Sequence, residues 1–130
     1  MNSGRIDLTN LSTPPETAEL MTARYFAALG KDVSFIRPSS IPHQHSADIL
    51  MDGLEWEIKC PEGKSKRTIE NNIRKAMLQS HNIIFDLRHL KSNELQCITQ
   101  LEQQFNRRNQ IKKLYIIKKN GELLEYKRKR

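Results

Sequence analysis

One short segment, residues 46–59, predicts a β-hairpin and so constrains how the rest of the chain can fold. Asp52 and Gly53 stand between two runs of alternating apolar and polar residues, and this dipeptide is a strong signal for a two-residue hairpin turn. The alternation sets the register, in which Ile49 should face Trp56. One face of the hairpin is then wholly apolar, and we expect Trp56 to be buried there as part of the core.

The other face of the hairpin brings two acidic residues together. In the same register Ala47 faces Ile58, and Asp48 lies opposite Glu57, with Lys59 two residues further along the strand. Cross-strand Cβ atoms are about 4.5–5.5 Å apart, and two carboxylates at that distance repel by roughly 3–4 kcal/mol at an effective dielectric near 20. A hard divalent cation such as Mg²⁺ would offset this repulsion. The simpler alternative is a solvated strand face, and a bulge would shift the pairing by one residue.

Length and composition favour one domain. The chain has 130 residues, of which 37% are hydrophobic, enough for a core but too few for two domains. We expect residues 1–12 and 127–130 to be flexible ends. No stretch resembles a membrane span, and the first twenty residues lack the basic start and apolar run of a signal peptide, which favours a cytoplasmic location or delivery there by another agent. Cys60 and Cys97 are far apart without CxxC spacing, which indicates reduced thiols and argues against zinc.

Positive charge is concentrated in the second half of the chain. Residues 1–65 hold six Lys and Arg against nine Asp and Glu, whereas residues 66–130 hold sixteen against six. Such an excess indicates a polyanionic partner, and nucleic acid is favoured over an acidic membrane because no basic amphipathic helix with exposed large apolar residues is predicted. For any single cluster, a solvated surface is the alternative. The clusters that follow the hairpin most closely contain Lys64, Lys66, Arg67, Arg74 and Lys75.

The remaining patterns predict the element order αβββαβαββ. The expected helices cover residues 13–29, 68–80 and 92–106. The expected strands outside the central hairpin cover residues 33–37, 82–87, 114–119 and 122–127. The chain should therefore be an α/β protein with a central mixed sheet flanked by helices.

Two acidic residues of the first helix compete for a place beside the hairpin. The segment Thr13–Glu16 has the pattern of a capping box, which accounts for Glu16. Glu19 shares a helix face with Ala23 and Phe26, the face that should pack on the sheet, and a carboxylate there needs a reason. A role as a further metal ligand or base is one such reason, and the alternative is that Glu19 reaches water at the edge of that face.

In their order along the chain, these features resemble the PD-(D/E)xK nuclease superfamily. The motif residues are Glu19 on a helix, Asp48 on a strand, Glu57 and Lys59 on the next strand, and Gln79 on a second helix. Within that superfamily, the run from Asp48 to Leu87 is similar to the C-terminal toxin domains of CdiA-type contact-dependent inhibition proteins, which are largely tRNA nucleases. The likeness spans residues 16–87, and Ala47 stands where the superfamily motif has proline.

The resemblance implies a restriction-endonuclease-like core and a metal-dependent nuclease. Asp48 and Glu57 would hold Mg²⁺ or Mn²⁺, with the carbonyl of Ile58 as a further oxygen ligand. Lys59 would orient or activate the attacking water and stabilise developing charge. Glu19 would complete the outer shell of the site.

Two further contributions are expected around these residues. Gln79 would lie beside Lys59 and steady water or phosphate, unless it is only an exposed polar residue of its helix. His43 and His45 precede Asp48, and substrate contact or a plain loop role is preferred to a transition-metal site, because no third soft ligand is at hand.

The leading functional interpretation is an endonuclease that cleaves RNA, with tRNA favoured over DNA and a cognate immunity protein as a further partner. The first alternative is a DNA endonuclease of repair, restriction or mobile-element type. The second is a nucleic-acid-binding module that keeps the fold without turnover.

Overall fold

The computed structural model describes residues 3–42, 46–63 and 66–128, with the backbone alone described for Lys66. The helices and strands in these ranges form a mixed α/β fold, as expected. They are β1 (Ile6–Asp7), α1 (Thr17–Ala28), β2 (Val33–Phe35), β3 (Ile49–Met51), β4 (Leu54–Lys59), α2 (Lys66–Gln79), β5 (Asn82–Asp86), α3 (Glu94–Arg107), β6 (Lys113–Ile117) and β7 (Leu123–Lys127). None of the helices in the described part of the chain is long and apolar enough to span a bilayer.

The strands form one sheet whose spatial order follows the chain from β1 to β7. The pairs β1–β2, β4–β5 and β5–β6 are parallel, and the other neighbours are antiparallel. Because β4, β5 and β6 run in the same direction, α2 and α3 are crossovers that run back against the strands they connect. One core cluster joins α2 and α3 to the sheet around Ile73 and Leu101, and a second, around Phe26 and Trp56, joins α1 to the sheet.

The central hairpin has the predicted turn and register. Ile49 pairs with Trp56, and Trp56 is completely buried. Asp52 and Gly53 have φ angles of 54° and 75°, as a type I′ turn requires at both central residues. The hairpin prediction is therefore confirmed from the turn as far as Ile49.

Helix α1 begins later than the sequence pattern predicted. It starts at Thr17, with Glu16 in the N-cap position, and the side chain of Glu16 makes no capping hydrogen bond. Thr13 and Pro14 each precede a proline, and a residue in that position is disfavoured in the helical region. The predicted capping box is therefore wrong, and Glu16 has no structural role that removes it from the site.

The ends of the described chain join the sheet, which differs from the flexible ends that we expected. Ile6–Asp7 pairs in parallel with β2, and Lys127 is the last residue of β7. The guanidinium of Arg128 donates hydrogen bonds to the carbonyls of Phe105, Arg108 and Ile111. These bonds satisfy carbonyl groups at and just after the end of α3, where helical partners are lacking. Residues 1–2 and 129–130 lie outside the described ranges.

A hydrogen bond from Thr22 to a buried, ion-paired carboxylate fastens α1 to the sheet. Asp86, at the end of β5, is 1% exposed and accepts hydrogen bonds from Arg88 Nη2 and Thr22 Oγ1, both at 2.7 Å. Burial alone would raise the pKa of Asp86, but the hydrogen bonds from Arg88 and Thr22 outweigh it and lower the pKa. Thr22 lies one helical turn after Glu19, so this contact fixes the part of α1 that faces the hairpin acids.

Replacing Asp86 with alanine should therefore lower the free energy of unfolding by about 3 kcal/mol, because removing one partner leaves a partly buried guanidinium without its carboxylate. Urea denaturation measures this loss. The matched control is Glu122→Ala, which breaks an ion pair with Lys118 in which the Glu122 side chain is 51% exposed and should cost less than about 1 kcal/mol. Equal losses in the two variants would show that the Asp86 pair does not anchor α1.

Candidate active site

The regular pairing of β3 with β4 ends before Asp48. There the carboxylate of Asp48 takes the place of a backbone hydrogen-bond acceptor. The ladder pairs end at Ile49 and Trp56. The amide of Asp48 donates to the carbonyl of Trp56 at 2.9 Å, and Asp48 Oδ2 accepts the amide of Ile58 at 2.8 Å. The expected pairings of Asp48 with Glu57 and of Ala47 with Ile58 are therefore absent from the ladder. The Asp48 amide bonds to Trp56 instead, and the Asp48 side chain takes the Ile58 amide.

Glu57 and Lys59 lie on one face of β4 and form an ion pair. Lys59 Nζ lies 3.2 Å from Glu57 Oε2, with side-chain exposures of 23% and 7%. The other oxygen of Glu57, Oε1, is buried without a hydrogen-bond donor. A buried carboxylate oxygen without a donor is costly, so this atom is well placed to receive a cation.

The backbone of Ile58 adds an oxygen to the same place. A residue in a strand directs its N–H and C=O to the same side, and the N–H of Ile58 points to Asp48. Its carbonyl therefore leaves β4 on the side of Asp48, where β3 no longer pairs with β4. Carboxylate and carbonyl oxygens are the ligands that Mg²⁺ and Mn²⁺ prefer, so the donor set at Asp48, Glu57 and Ile58 fits such an ion.

The acidic residues of the site are coupled through Asp48. Burial, and then the charge of Asp48, raise the pKa of Glu57 to about 8, although Lys59 opposes the shift. Burial, followed by the charges of Asp48 and Glu16, raises the pKa of Glu19 to about 7, again against Lys59. Asp48 is therefore close to both glutamates, Glu57 of β4 and Glu19 of α1.

The placement of these acids limits how they can share a cation. Among the described residues, no group of three His, Cys, Asp or Glu side chains is placed so that it could hold a metal ion. A cation here would thus be held by two carboxylates and a carbonyl, and water would fill its remaining coordination positions. Mg²⁺ is usually bound in this way. Glu19 is not part of that set, and its expected place in the outer shell stays a prediction.

Gln79 lies at the end of β4 opposite to Lys59. Because α2 runs back against β4, its last residue meets the beginning of that strand, where Gln79 borders a cavity with Leu54 and Glu55. The neighbouring Ser80 Oγ donates to the carbonyl of Glu55 at 2.7 Å. About 13 Å of strand separates Glu55 from Lys59. The expectation that Gln79 lies beside Lys59 is wrong, because the direction of the crossover helix was not taken into account.

The predicted basic residues that the structure describes lie on the outer surface of α2. Arg67, Arg74 and Lys75 are exposed. Arg67 is in the first helical turn, at the end of the sheet where Lys59 lies, and the other two are about two turns further away. Several predicted substrate-contact residues fall outside what the structure describes: His43, His45, Lys64 and the side chain of Lys66.

Sequence reasoning missed a cavity next to the acids. It measures about 470 Å³, and the acidic residues in its wall are Glu16, Glu19 and Asp48. The rest of its wall comes from residues 11–15, from the end of β2 and the loop that follows it, including Arg37, and from residues 46–47. The signal that could have found it is topological: β2 and β3 are antiparallel, so the residues that follow β2 must lie beside those that precede β3, where Asp48 stands.

Two comparisons with known proteins agree with this fold. The family "Contact-dependent growth inhibition CdiA C-terminal domain" matches residues 45–123, a range that contains Asp48, Glu57 and Lys59. Among solved structures, the chain is similar to a CdiA-CT/CdiI toxin and immunity complex from Burkholderia pseudomallei. That match has 20% identity and a TM-score of 0.66, and covers 96% of this chain and 100% of that chain. A search among curated proteins finds no match.

The family match covers more than half of the chain and includes the whole hairpin on which the acidic site is built. The structural match extends the likeness of the fold to the first helix and the last strand. The chain therefore belongs to the family of CdiA C-terminal domains of contact-dependent growth inhibition.

Proposed function

We propose that this chain is a toxin domain that acts as a metal-dependent endonuclease on RNA, with the site arrangement of the PD-(D/E)xK superfamily. The observation that supports it most directly is the meeting of Asp48, Glu57 and Lys59 at one end of the β3–β4 hairpin, with Glu57 Oε1 buried and without a donor. These are the residue types and the order of the superfamily motif. Neither a solvated strand face nor a simple binding surface requires a buried acid.

Each residue of the site has a definite task in this proposal. Asp48, Glu57 and the Ile58 carbonyl would hold Mg²⁺ or Mn²⁺, which would supply a water of lowered pKa and neutralise charge on the scissile phosphate. Lys59 Nζ, close to Glu57 and partly exposed, would orient the attacking water and donate to the phosphoryl oxygens as charge develops. Glu19, whose pKa is raised to about 7, would accept a proton from water near neutral pH.

Charge distribution supports a nucleic-acid substrate for this site. The acidic side chains alone would repel phosphate, but exposed Arg67, Arg74 and Lys75 lie on the helix that follows Lys59. The excess of ten positive charges in residues 66–130 would supply the salt-dependent attraction that phosphate backbones require. Within that class we favour RNA, and tRNA in particular, by resemblance to the CdiA-type toxin domains.

A toxin of this kind needs a protein that neutralises it in the cell that makes it. The solved structure that this chain resembles is a complex of a toxin with an immunity protein. We therefore propose a cognate immunity protein as the partner of this chain. A net charge of +7 favours an acidic partner surface.

The test is to incubate the purified chain with a tRNA pool and, separately, with plasmid DNA, in Mg²⁺, in Mn²⁺ or with a chelator. We expect tRNA to be cleaved in either metal and to remain intact with chelator. The matched control is Asp48→Asn, which keeps an oxygen to accept the Ile58 amide but removes the charge, and should be inactive. Cleavage of DNA alone would favour the DNA endonuclease, and cleavage of RNA in chelator would contradict the role assigned to the metal.

A further inference from the structure

The cavity beside Asp48 has the size and the position of a binding site for part of the substrate. Its volume of about 470 Å³ falls within the range of roughly 300–1,000 Å³ that is usual for small-ligand pockets. Glu19 and Asp48 lie on its wall, so whatever fills it lies directly against the site where the phosphate would be cleaved.

The wall of the cavity combines hydroxyl groups with apolar proline rings. Its hydroxyl groups belong to Ser12, Thr13, Ser40 and Ser46. Each hydroxyl can both donate and accept a hydrogen bond, which matches the hydroxyls of a ribose. The rings of Pro14, Pro15 and Pro38 lie in the same wall and offer an apolar surface against which a base can pack.

Arg37 adds a positive charge to the wall of the cavity. Among the described residues that line the cavity it is the one with a positive charge. Arg37 is exposed, and no ion pair joins it to a described carboxylate. The backbone beside it is held near the acids, because the amide of the preceding residue, Ile36, donates to the carbonyl of Asp48 at 2.9 Å. An exposed guanidinium in this wall, without a described carboxylate partner, is suited to bind a phosphate.

We infer that this cavity is a nucleotide subsite, in which the ribonucleoside next to the scissile phosphate binds and Arg37 contacts the phosphate that flanks it. The inference deepens the proposed function and rests on it. The acidic residues would face the scissile phosphate through the metal, the hydroxyl groups would contact the ribose, and Arg37 would bind the next phosphate along the strand. The contact to ribose hydroxyls is the part of this arrangement that distinguishes RNA from DNA.

Binding can be tested separately from cleavage, by titrating the isotope-labelled full chain with ribonucleoside 5′- and 3′-monophosphates in chelator and following amide shifts by NMR. We expect the largest shifts at Ser12, Thr13, Arg37 and Ser40. Arg37→Ala should weaken this binding about tenfold, the usual effect of losing a charge-assisted hydrogen bond. Arg24→Ala, which removes an exposed arginine of α1 that does not line the cavity, should bind as the wild type does.

Two further probes separate a built subsite from simple attraction to positive charge. A 2′-deoxyribonucleotide should bind more weakly than its ribonucleotide, and inorganic phosphate should shift the Arg37 amide without shifting those of Ser12 and Thr13. Shifts confined to the outer surface of α2, or unchanged affinity in Arg37→Ala, would overturn the subsite.

The outcomes also distinguish this inference from the proposed nuclease. If the wild type cleaves tRNA with metal but no monophosphate shifts the cavity amides, the subsite is wrong and the nuclease stands. If the amides shift but no nucleic acid is cleaved in either metal, the nuclease is wrong and the cavity is a nucleotide site without that chemistry. If both hold, Arg37→Ala should raise KM for tRNA about tenfold and leave kcat nearly unchanged.

Discussion

Replacing Lys59 with alanine should lower the single-turnover rate of RNA cleavage by a factor on the order of 10²–10³, the usual loss when one group that stabilises the transition state is removed. Lys59 Nζ lies 3.2 Å from Glu57 Oε2, and it lowers the pKa of Glu57 against the effects of burial and Asp48. For this reason the rate should be measured at saturating Mg²⁺, at which the metal is bound to Asp48 and Glu57. Under that condition the remaining loss reports the action of Lys59 on water and on developing charge.

Substrate affinity separates catalysis from binding in the same experiment. Filter binding of the tRNA pool should change little in Lys59→Ala, because the exposed basic residues of α2 are untouched. The matched control is Lys127→Ala, which removes a 54% exposed lysine paired with Glu125 in β7 and should cleave as the wild type does. Equal cleavage rates in Lys59→Ala and wild type would contradict the nuclease mechanism. A module that only binds nucleic acid would show a change in affinity and no turnover to lose.

The part of the site that could be predicted from sequence is the part that local chemistry determines. Asp52 and Gly53 adopt the two positive φ angles of the expected turn, and a two-residue turn leaves no freedom in the register of the strands beside it. This register brings Asp48 to the same end of the hairpin as Glu57, although the ladder pairs themselves end at Ile49 and Trp56. The pKa values of both glutamates of the site are raised first by burial and then by Asp48, and the second cause agrees with the predicted crowding of acids.

The direction of α2 could not be obtained in the same way. Helical periodicity predicts which face of α2 packs inward, and Ile69, Ile73 and Ala76 are indeed buried. Periodicity carries no information about which end of a helix lies beside which end of a strand. That is set by the parallel pairing of β4 with β5, a long-range contact, and it moves Gln79 away from Lys59.

The start of the chain shows a second limit. Strand β1 has only two residues, too few for an alternating pattern to appear. Its position depends on pairing with β2 and on the bond from the Gly4 amide to the Ala27 carbonyl at 2.7 Å. The local sequence gives no signal for either contact. The late start of α1, in contrast, could have been predicted from Pro14 and Pro15, because a residue before proline is disfavoured in the helical region.

Free of metal, the protein should lose thermal stability as pH rises from about 4.5 to about 8. The pKa of Glu57 is raised from its ordinary 4.5 to about 8 and that of Glu19 to about 7, first by burial and then by Asp48. At a pH between the pKa values of the unfolded and folded states, these two glutamates are protonated in the folded protein and deprotonated in the unfolded chain. The stability that these protons provide is fully present below pH 4.5 and is lost as pH rises through the folded values. Calorimetry across this range should show Tm falling by at least about 4 °C, the shift that roughly 1 kcal/mol produces in a domain of this size.

Mg²⁺ should reverse this loss, and by more at pH 8 than at pH 6, because its carboxylate ligands must be deprotonated. At about one hundred times its Kd it should add roughly 2.7 kcal/mol of stability. Asp48→Asn retains an acceptor for the Ile58 amide but removes the charge that both glutamates sense. The Tm of this variant without metal should therefore vary less with pH and should exceed that of the wild type at pH 8. Mg²⁺ should not raise it. Glu122→Gln, which neutralises an exposed carboxylate, should behave as the wild type does. If the wild-type Tm is flat between pH 5 and 8, or if Mg²⁺ raises Tm equally in Asp48→Asn, the carboxylates at the open end of the hairpin are not the metal site.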